Sequence, residues 1–277
     1  MGSRIEDHSS PLGTFEVPGG YLVENEVEDD AGEASLNRKR YNHVTLRELS
    51  GKEEDMLTAE NISMGDKLFR IIANCIMKLE TDEGESIPRE GNEKLFARLP
   101  QLFLFSDIIV LLLRLRQLSI GNLFEFKVRC PEKSCKILQS KSFNLEKLVL
   151  QPMEGDVFSR IRRFNIRDGR EIVWHMVTGK IEREFAKETE RDKDKQTKAT
   201  KTLMMRARTI DGEPVNLDIL QDISMLDRMN LRKEFDAEGG IETEFGVTCN
   251  TCGIEWTEEL QIGGEDFFRP TAEAPSD

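Results

Sequence analysis

Residues 124–135 read Phe-Glu-Phe-Lys-Val-Arg-Cys-Pro-Glu-Lys-Ser-Cys, and residues 245–256 read Phe-Gly-Val-Thr-Cys-Asn-Thr-Cys-Gly-Ile-Glu-Trp. Both stretches have one layout. Apolar and polar residues alternate into a cysteine-bearing turn, which marks a half-buried strand. A strand-like segment returns after each turn, at 137–143 and at 254–257. Each stretch is therefore expected to be a β-hairpin with two thiols at its tip, Cys130 with Cys135 and Cys249 with Cys252. Gly253 directly follows the second pair, where a knuckle needs a residue tolerant of positive φ.

Zn²⁺ prefers four tetrahedral ligands and accepts thiolates at about 2.3 Å. Two facing hairpins thus predict a zinc-ribbon-like site with Cys130, Cys135, Cys249 and Cys252 as ligands. Four thiolates leave no open position for water, so the ion is expected to be structural. The competing readings are a disulfide within a pair, a redox motif, and unrelated free thiols. A thioredoxin-like pair wants a strand-to-helix turn, which neither pair has. Two features are irregular. The first knuckle has four residues between its cysteines and no glycine after Cys135, and 113 residues separate Cys135 from Cys249. The usual ribbon gap is about 15–20 residues. Residues 136–248 are therefore expected to fold out as an insertion, and an ion closing so long a loop restrains the unfolded chain strongly in theory.

The chain has 277 residues, with 39 Lys and Arg against 52 Asp and Glu, a net charge of −13. Affinity for phosphate backbones comes mostly from Lys and Arg, so a nucleic-acid partner is disfavoured, as is an anionic membrane. The most apolar run, Leu102–Leu113, is interrupted by Ser106 and Asp107 and falls short of the roughly 20 residues that a span requires. Met1–Ser10 has no apolar h-region, and Glu6 stands where a myristoylation signal wants Ser or Thr. A reducing cytoplasm is the expected compartment, and there paired cysteines point to metal before disulfides.

The expected fold class is α+β, a pair of zinc-ribbon-like hairpins with a helical N-terminal part and a long mixed insertion. Residues 1–40 hold nine acids and four bases. They read as an acidic flexible arm that cannot bury enough apolar area to offset ordering, or as an arm that orders on a partner. Residues 41–122 read as a helical region. It contains a short strand at 43–49, a helix at 65–79 on the spacing of Leu68, Ile71, Ile72, Cys75, Ile76 and Leu79, and a polar loop at 82–92. A second helix at 106–118 is apolar almost all round, with Ser106 as N-cap and Gly121 as stop. Cys75 is core filler. Residues 123–143 form the first knuckle hairpin. Residues 144–240 form the mixed insertion, with a hairpin about Asp168-Gly169, a charged helix within 182–201, and short helices at 217–223 and 224–235, the last capped by Ser224. Residues 241–265 form the second knuckle hairpin, and 266–277 a C-terminal tail.

No phosphate-binding loop, dinucleotide fingerprint, H-E-x-x-H or G-x-S-x-G is present, and His8, His43 and His175 stand apart in the sequence. No catalysis is expected.

One further pattern is a set of spaced residues. It runs from Asp107 through Leu111, Arg114, Arg116, Ser119, Gly121 and Phe126 to Cys130-Pro131. It continues through Asp168-Gly169-Arg170-Glu171, Thr178-Gly179-Lys180-Ile181-Glu182, Asp227-Arg228-Met229, Leu231-Arg232, Gly239-Gly240-Ile241, Cys249 to Gly253, and Phe267-Phe268-Arg269-Pro270. Over residues 42–270 this resembles the T4-type bacteriophage baseplate hub and tail assembly family, found in phages, prophages and contractile injection systems. The resemblance implies a non-enzymatic structural or assembly role. The partners would be other tail and baseplate proteins, oligomerisation stays open, and the locations would be the host cytoplasm and the virion tail baseplate. The alternative reading is a zinc-ribbon nucleic-acid-binding or transcription-associated factor.

Overall fold

A computed structural model describes residues 11–28, 34–191, 198–235, 238–260, 262 and 265–268. The rest of the expected arm (1–10 and 29–33), residues 192–197 of the expected charged helix and most of the C-terminal tail, including Arg269-Pro270, lie outside the described residues.

The chain is α+β, and every strand pair among the described residues is antiparallel. It begins with two long strands, β1 (Leu12–Glu28) and β2 (Ala34–Arg47). The expectation of a flexible arm therefore fails for 12–28 and 34–40. Phe15, Val17, Tyr21 and Val23 all pack on the main core, and the β1–β2 ladder satisfies the backbone. Four alternating apolar anchors plus strand pairing offset the ordering entropy that composition alone leaves uncompensated.

Helices α1 (Gly51–Thr58) and α2 (Met64–Cys75) follow. The apolar spacing that suggested one helix to residue 79 is split. Ile76–Glu80 is β3, paired with β2 and with β4 (Ser86–Pro88), which lies inside the expected polar loop. Ile76 and Leu79 are buried either way, so burial could not distinguish the two conformations, and strand pairing decided between them. Arg89 Nη1 donates to the carbonyls of Ala73 (2.5 Å) and Ile76 (2.9 Å), covering acceptors that a helix end leaves open. The four strands lie in the order β1-β2-β3-β4.

Two single-turn helices, α3 (Glu93–Phe96) and α4 (Leu99–Leu102), lead into α5 (Phe105–Ser119). At about 22 Å this helix is too short to span a membrane, and no helix among the described residues is long and apolar enough to do so. Its apolar surface is enclosed by β1, β2, α2, the helix Gly179–Arg191 and the strand Gly240–Ile241. The expected cap is corrected: the carboxylate of Asp107, not Ser106, accepts the Leu104 N–H (3.2 Å). Asp107 is fully buried and also accepts from Gly19 N (2.7 Å). Gly19 belongs to a break in the β1–β2 register between Glu16 and Tyr21, where Pro18 has no N–H to give. Arg160 Nη2 donates to the carbonyls of Gly19 (3.0 Å) and Gly20 (2.8 Å), so side chains replace the missing ladder.

At the other end of α5, Arg116 is fully buried. It donates to the carbonyls of Phe267 (2.7 Å), Gly121 (2.6 Å) and Leu123 (2.8 Å) and lies against the rings of Phe124 and Phe267. These bonds join the central helix, the first hairpin and the C-terminal end.

The first hairpin is β5 (Leu123–Arg129) and β6 (Leu138–Asn144), followed by β7 (Leu150–Gln151). A second core then forms around Trp174, Leu203, Leu220, Leu231 and Phe235. It comprises β8 (Ile161–Asn165), β9 (Glu171–His175), α7 (Lys198–Met204), β10 (Ala207–Ile210), β11 (Glu213–Pro214), α8 (Leu217–Gln221) and α9 (Met225–Phe235), while α6 (Gly179–Arg191) packs on α4 and α5. Ser224 caps α9 as expected, accepting from Asp227 N (3.1 Å). The two cores meet where Phe105 N donates to Val177 O and Gly179 N donates to Phe103 O. A Cβ on Gly179 would sit 1.9 Å from Pro100 O, so only glycine permits this approach. The chain returns through β12 (Gly240–Ile241), paired with β7, to the second hairpin, β13 (Glu244–Thr248) and β14 (Glu255–Glu259).

Arg116→Lys keeps the charge but cannot serve three carbonyls at once, and should lower unfolding free energy in denaturant by at least about 2 kcal/mol. Burial pushes the Asp107 carboxyl up to about 6, against the backbone N–H of Gly19 and the field of Arg160. The folded state then holds a proton that the unfolded chain has released, so this group's contribution to stability falls as pH rises from about 4 to about 6. Asp107→Asn should flatten the stability-versus-pH curve in that window.

Candidate metal centre

Each hairpin is drawn to its tip by a regular ladder, seven residue pairs from Leu123↔Asn144 to Arg129↔Leu138 and five from Glu244↔Glu259 to Thr248↔Glu255. The tips close alike. Cys130 N donates to Ile137 O (3.0 Å), and Cys249 N donates to Ile254 O (2.8 Å). Just before each acceptor, one residue turns left-handed: Gly253 (φ 75°) in the second knuckle and Lys136 (φ 46°) in the first. The first knuckle therefore makes the same turn with two extra residues and a lysine where the second has glycine.

The four expected cysteines come together. Cys130 Sγ lies 3.7 Å from Cys252 Sγ, and Cys135 Sγ lies 3.8 Å from Cys249 Sγ. All four sulfurs fall within 4.8 Å of one another. A tetrahedron of thiolates with metal–sulfur bonds of about 2.3 Å has edges of about 3.8 Å. A disulfide needs about 2.05 Å, and all four thiols are free. The donor set and its spacing fit a tetrahedral metal ion, which Cys130, Cys135, Cys249 and Cys252 would hold.

The surroundings favour thiolate at one sulfur and oppose it at another. Backbone N–H groups of Cys252 and Thr251 aimed at Cys249 hold its thiol down at about 6. Burial pushes the Cys130 thiol up to about 12. Gathering four thiolates in one small volume calls for a cation, and a coordinating metal deprotonates its thiols outright.

Contacts that the sequence did not mark hold the two hairpins together. Lys141 Nζ donates to Thr248 O (2.5 Å) and Asn250 Oδ1 (2.6 Å), and Asn250 N donates to Gln139 Oε1 (3.0 Å). Beneath the tips, Phe245 packs on Phe143 (4.6 Å between centroids) and on Phe126 (5.3 Å, edge-on). These partners lie more than a hundred residues apart, and no local spacing announces them. The alternating Phe126, Phe143 and Phe245 were the one available signal.

The remaining candidates stand elsewhere. Cys75 is fully buried, with its thiol pushed up to about 12, and fills the core. His43 hydrogen-bonds Asp82 (2.8 Å) on the surface, and His175 is buried and held down at about 4 by burial, hence neutral. His8 lies outside the described residues. Compared with protein-family models, curated proteins and solved structures, the chain matches none.

Lys136→Gly removes the penalty of a left-handed side-chain residue and should raise stability by about 1 kcal/mol, whereas Gly253→Ala should lower it by a similar amount. Thermal unfolding of both variants checks the pair.

Proposed function

We propose that the chain is a non-catalytic structural or assembly protein whose two distant hairpins are pinned by a structural zinc ion. The observation that carries the reading is the near-tetrahedral set of four thiols at the paired tips. Zinc fits better than other ions because four soft thiolates suit it and a closed four-ligand site is its usual structural form. When bound, the ion crosslinks residues 130–135 to residues 249–252. The chain's own residues orient the sulfurs: ladder bonds set the tips, Lys141 and Asn250 fix their mutual position, and the phenylalanines beneath pack the two hairpins together.

The resemblance carries the rest of the proposal, a place in the central baseplate of a phage tail. Several of the residues behind it are fold-holding residues in this structure. Asp107, Arg116, Gly179, Asp227 and Phe267 all make buried or sterically tight contacts that join separate segments. A nucleic-acid role is less favoured. The ladder sets Glu244, Glu255 and Glu259 on one face of the second hairpin, and Lys141 of the first is already engaged with Thr248 and Asn250.

Purified protein should contain about one zinc per chain by elemental analysis, lost in Cys249→Ser and in Cys252→Ser together with a fall in the unfolding midpoint. A chain free of metal with an unchanged midpoint would reject the zinc. Mass spectrometry of purified phage particles encoding this sequence tests the location. Presence supports a baseplate component, and absence from the particle leaves only the assembly-factor form.

A further inference from the structure

Between the N-terminal end of α5, Gln151 of β7 and the foot of the β13–β14 hairpin lies an open groove of about 830 Å³. That is the size of sites that take a small ligand or a short stretch of chain. Apolar side chains line its floor: Phe105, Ile109, Ile241 and Leu260. One wall is bare backbone at Gly239-Gly240, both with positive φ. A Cβ on Gly239 would lie 2.8 Å from Gln151 O, and one on Gly240 would lie 3.1 Å from Ser106 Cβ. Glycine at both positions keeps the groove open. The Ser106 hydroxyl, released from the expected capping role, is buried beside it with no hydrogen-bond partner among the described residues.

The charge along this groove is one-sided. Among its lining residues Arg206 is the one cation, and it is already engaged, paired with Glu238 and lying 4.6 Å over the Phe235 ring. Glu242, Glu244 and Glu259 at the rim are exposed. None of the three has an ion pair or side-chain hydrogen bond among the described residues. Glu244 and Glu259 stand directly opposite each other across the β13–β14 ladder. Like charges in that position are unfavourable, so the hairpin gives up stability to present both on one face. A Lys or Arg placed between them would replace the repulsion with charge-assisted hydrogen bonds.

We propose that this groove docks a short segment of a partner protein in which apolar residues are flanked by Lys or Arg. Its apolar side chains cover the floor, and its cations meet Glu242, Glu244 and Glu259. A second copy of this chain is a poor occupant, because its net charge of −13 opposes approach to an acidic rim. The docking goes beyond the assembly role and requires neither the zinc nor a phage.

The test is a fluorescence anisotropy titration of the full chain, at about 0.15 M salt, with three labelled dodecapeptides of alternating Lys-Leu, Lys-Ser and Glu-Leu. Lys-Leu alone should bind. The double variant E244Q/E259Q should weaken it by about tenfold or more, whereas E54Q/D55N on α1, the same change in net charge, should shift it less than about twofold. E244Q/E259Q should unfold at the same temperature as the parent or higher, which separates lost binding from lost folding. No binding of Lys-Leu, equal binding of Lys-Ser, or equal weakening by the α1 control would overturn the proposal.

Discussion

A helix that is apolar on nearly every side has to be enclosed, and the enclosure of α5 depends on two buried charged residues. Asp107 at one end and Arg116 at the other point inward, which is costly unless every polar atom finds a partner. Here the partners are backbone groups from distant parts of the chain. Asp107 accepts from the irregular stretch of β1, and Arg116 donates to the first hairpin and the C-terminal end. The helix thereby becomes the common support of the N-terminal sheet, the hairpins and, through residues 103–105, the second core. Removing either charge leaves backbone groups buried without partners, a larger penalty than loss of the bond itself.

The four-thiol cluster is built on that support. Its ligands come in two pairs separated by 113 residues, and ladder bonds alone would leave the two tips independent. Arg116 holds the root of the first hairpin, and the packing of Phe245 on Phe126 and Phe143 sets the second beside it. A metal at the tips would fasten an interface that packing has already aligned. Between the two hairpins, described residues from Met153 to Phe235 form a core of their own, so the long gap between cysteine pairs carries a structural unit.

The hairpins and their cysteines were legible because two short-range signals coincided, alternation along each strand and close cysteine spacing at each tip. The helices after Asn216 and Ser224 were legible because caps and periodicity act within one turn, whereas the charged stretch, read as helix from its composition, forms two helices, α6 and α7, among the described residues. The N-terminal ribbon was not. Its acid-rich composition suggested a solvated arm, while the four apolar residues that anchor it only count once a core exists to receive them. The end of α2 was misplaced because Ile76 and Leu79 satisfy both a helical stripe and a strand, and only pairing with β2 separates the two.

By itself the sequence determined what local chemistry can decide. That covers the strand-turn-strand form of the two hairpins, the four thiols, the all-round apolar helix and the acidic balance. Only the tertiary structure decided which distant groups meet: the sulfurs of opposite hairpins, the backbone partners of Asp107 and Arg116, and the opposed Glu244 and Glu259 above an apolar groove. The physical reason is range. Torsional preference, capping and alternation act over a few residues, whereas the desolvation that forces buried charges and thiols to find partners acts through space and leaves no periodic trace along the chain.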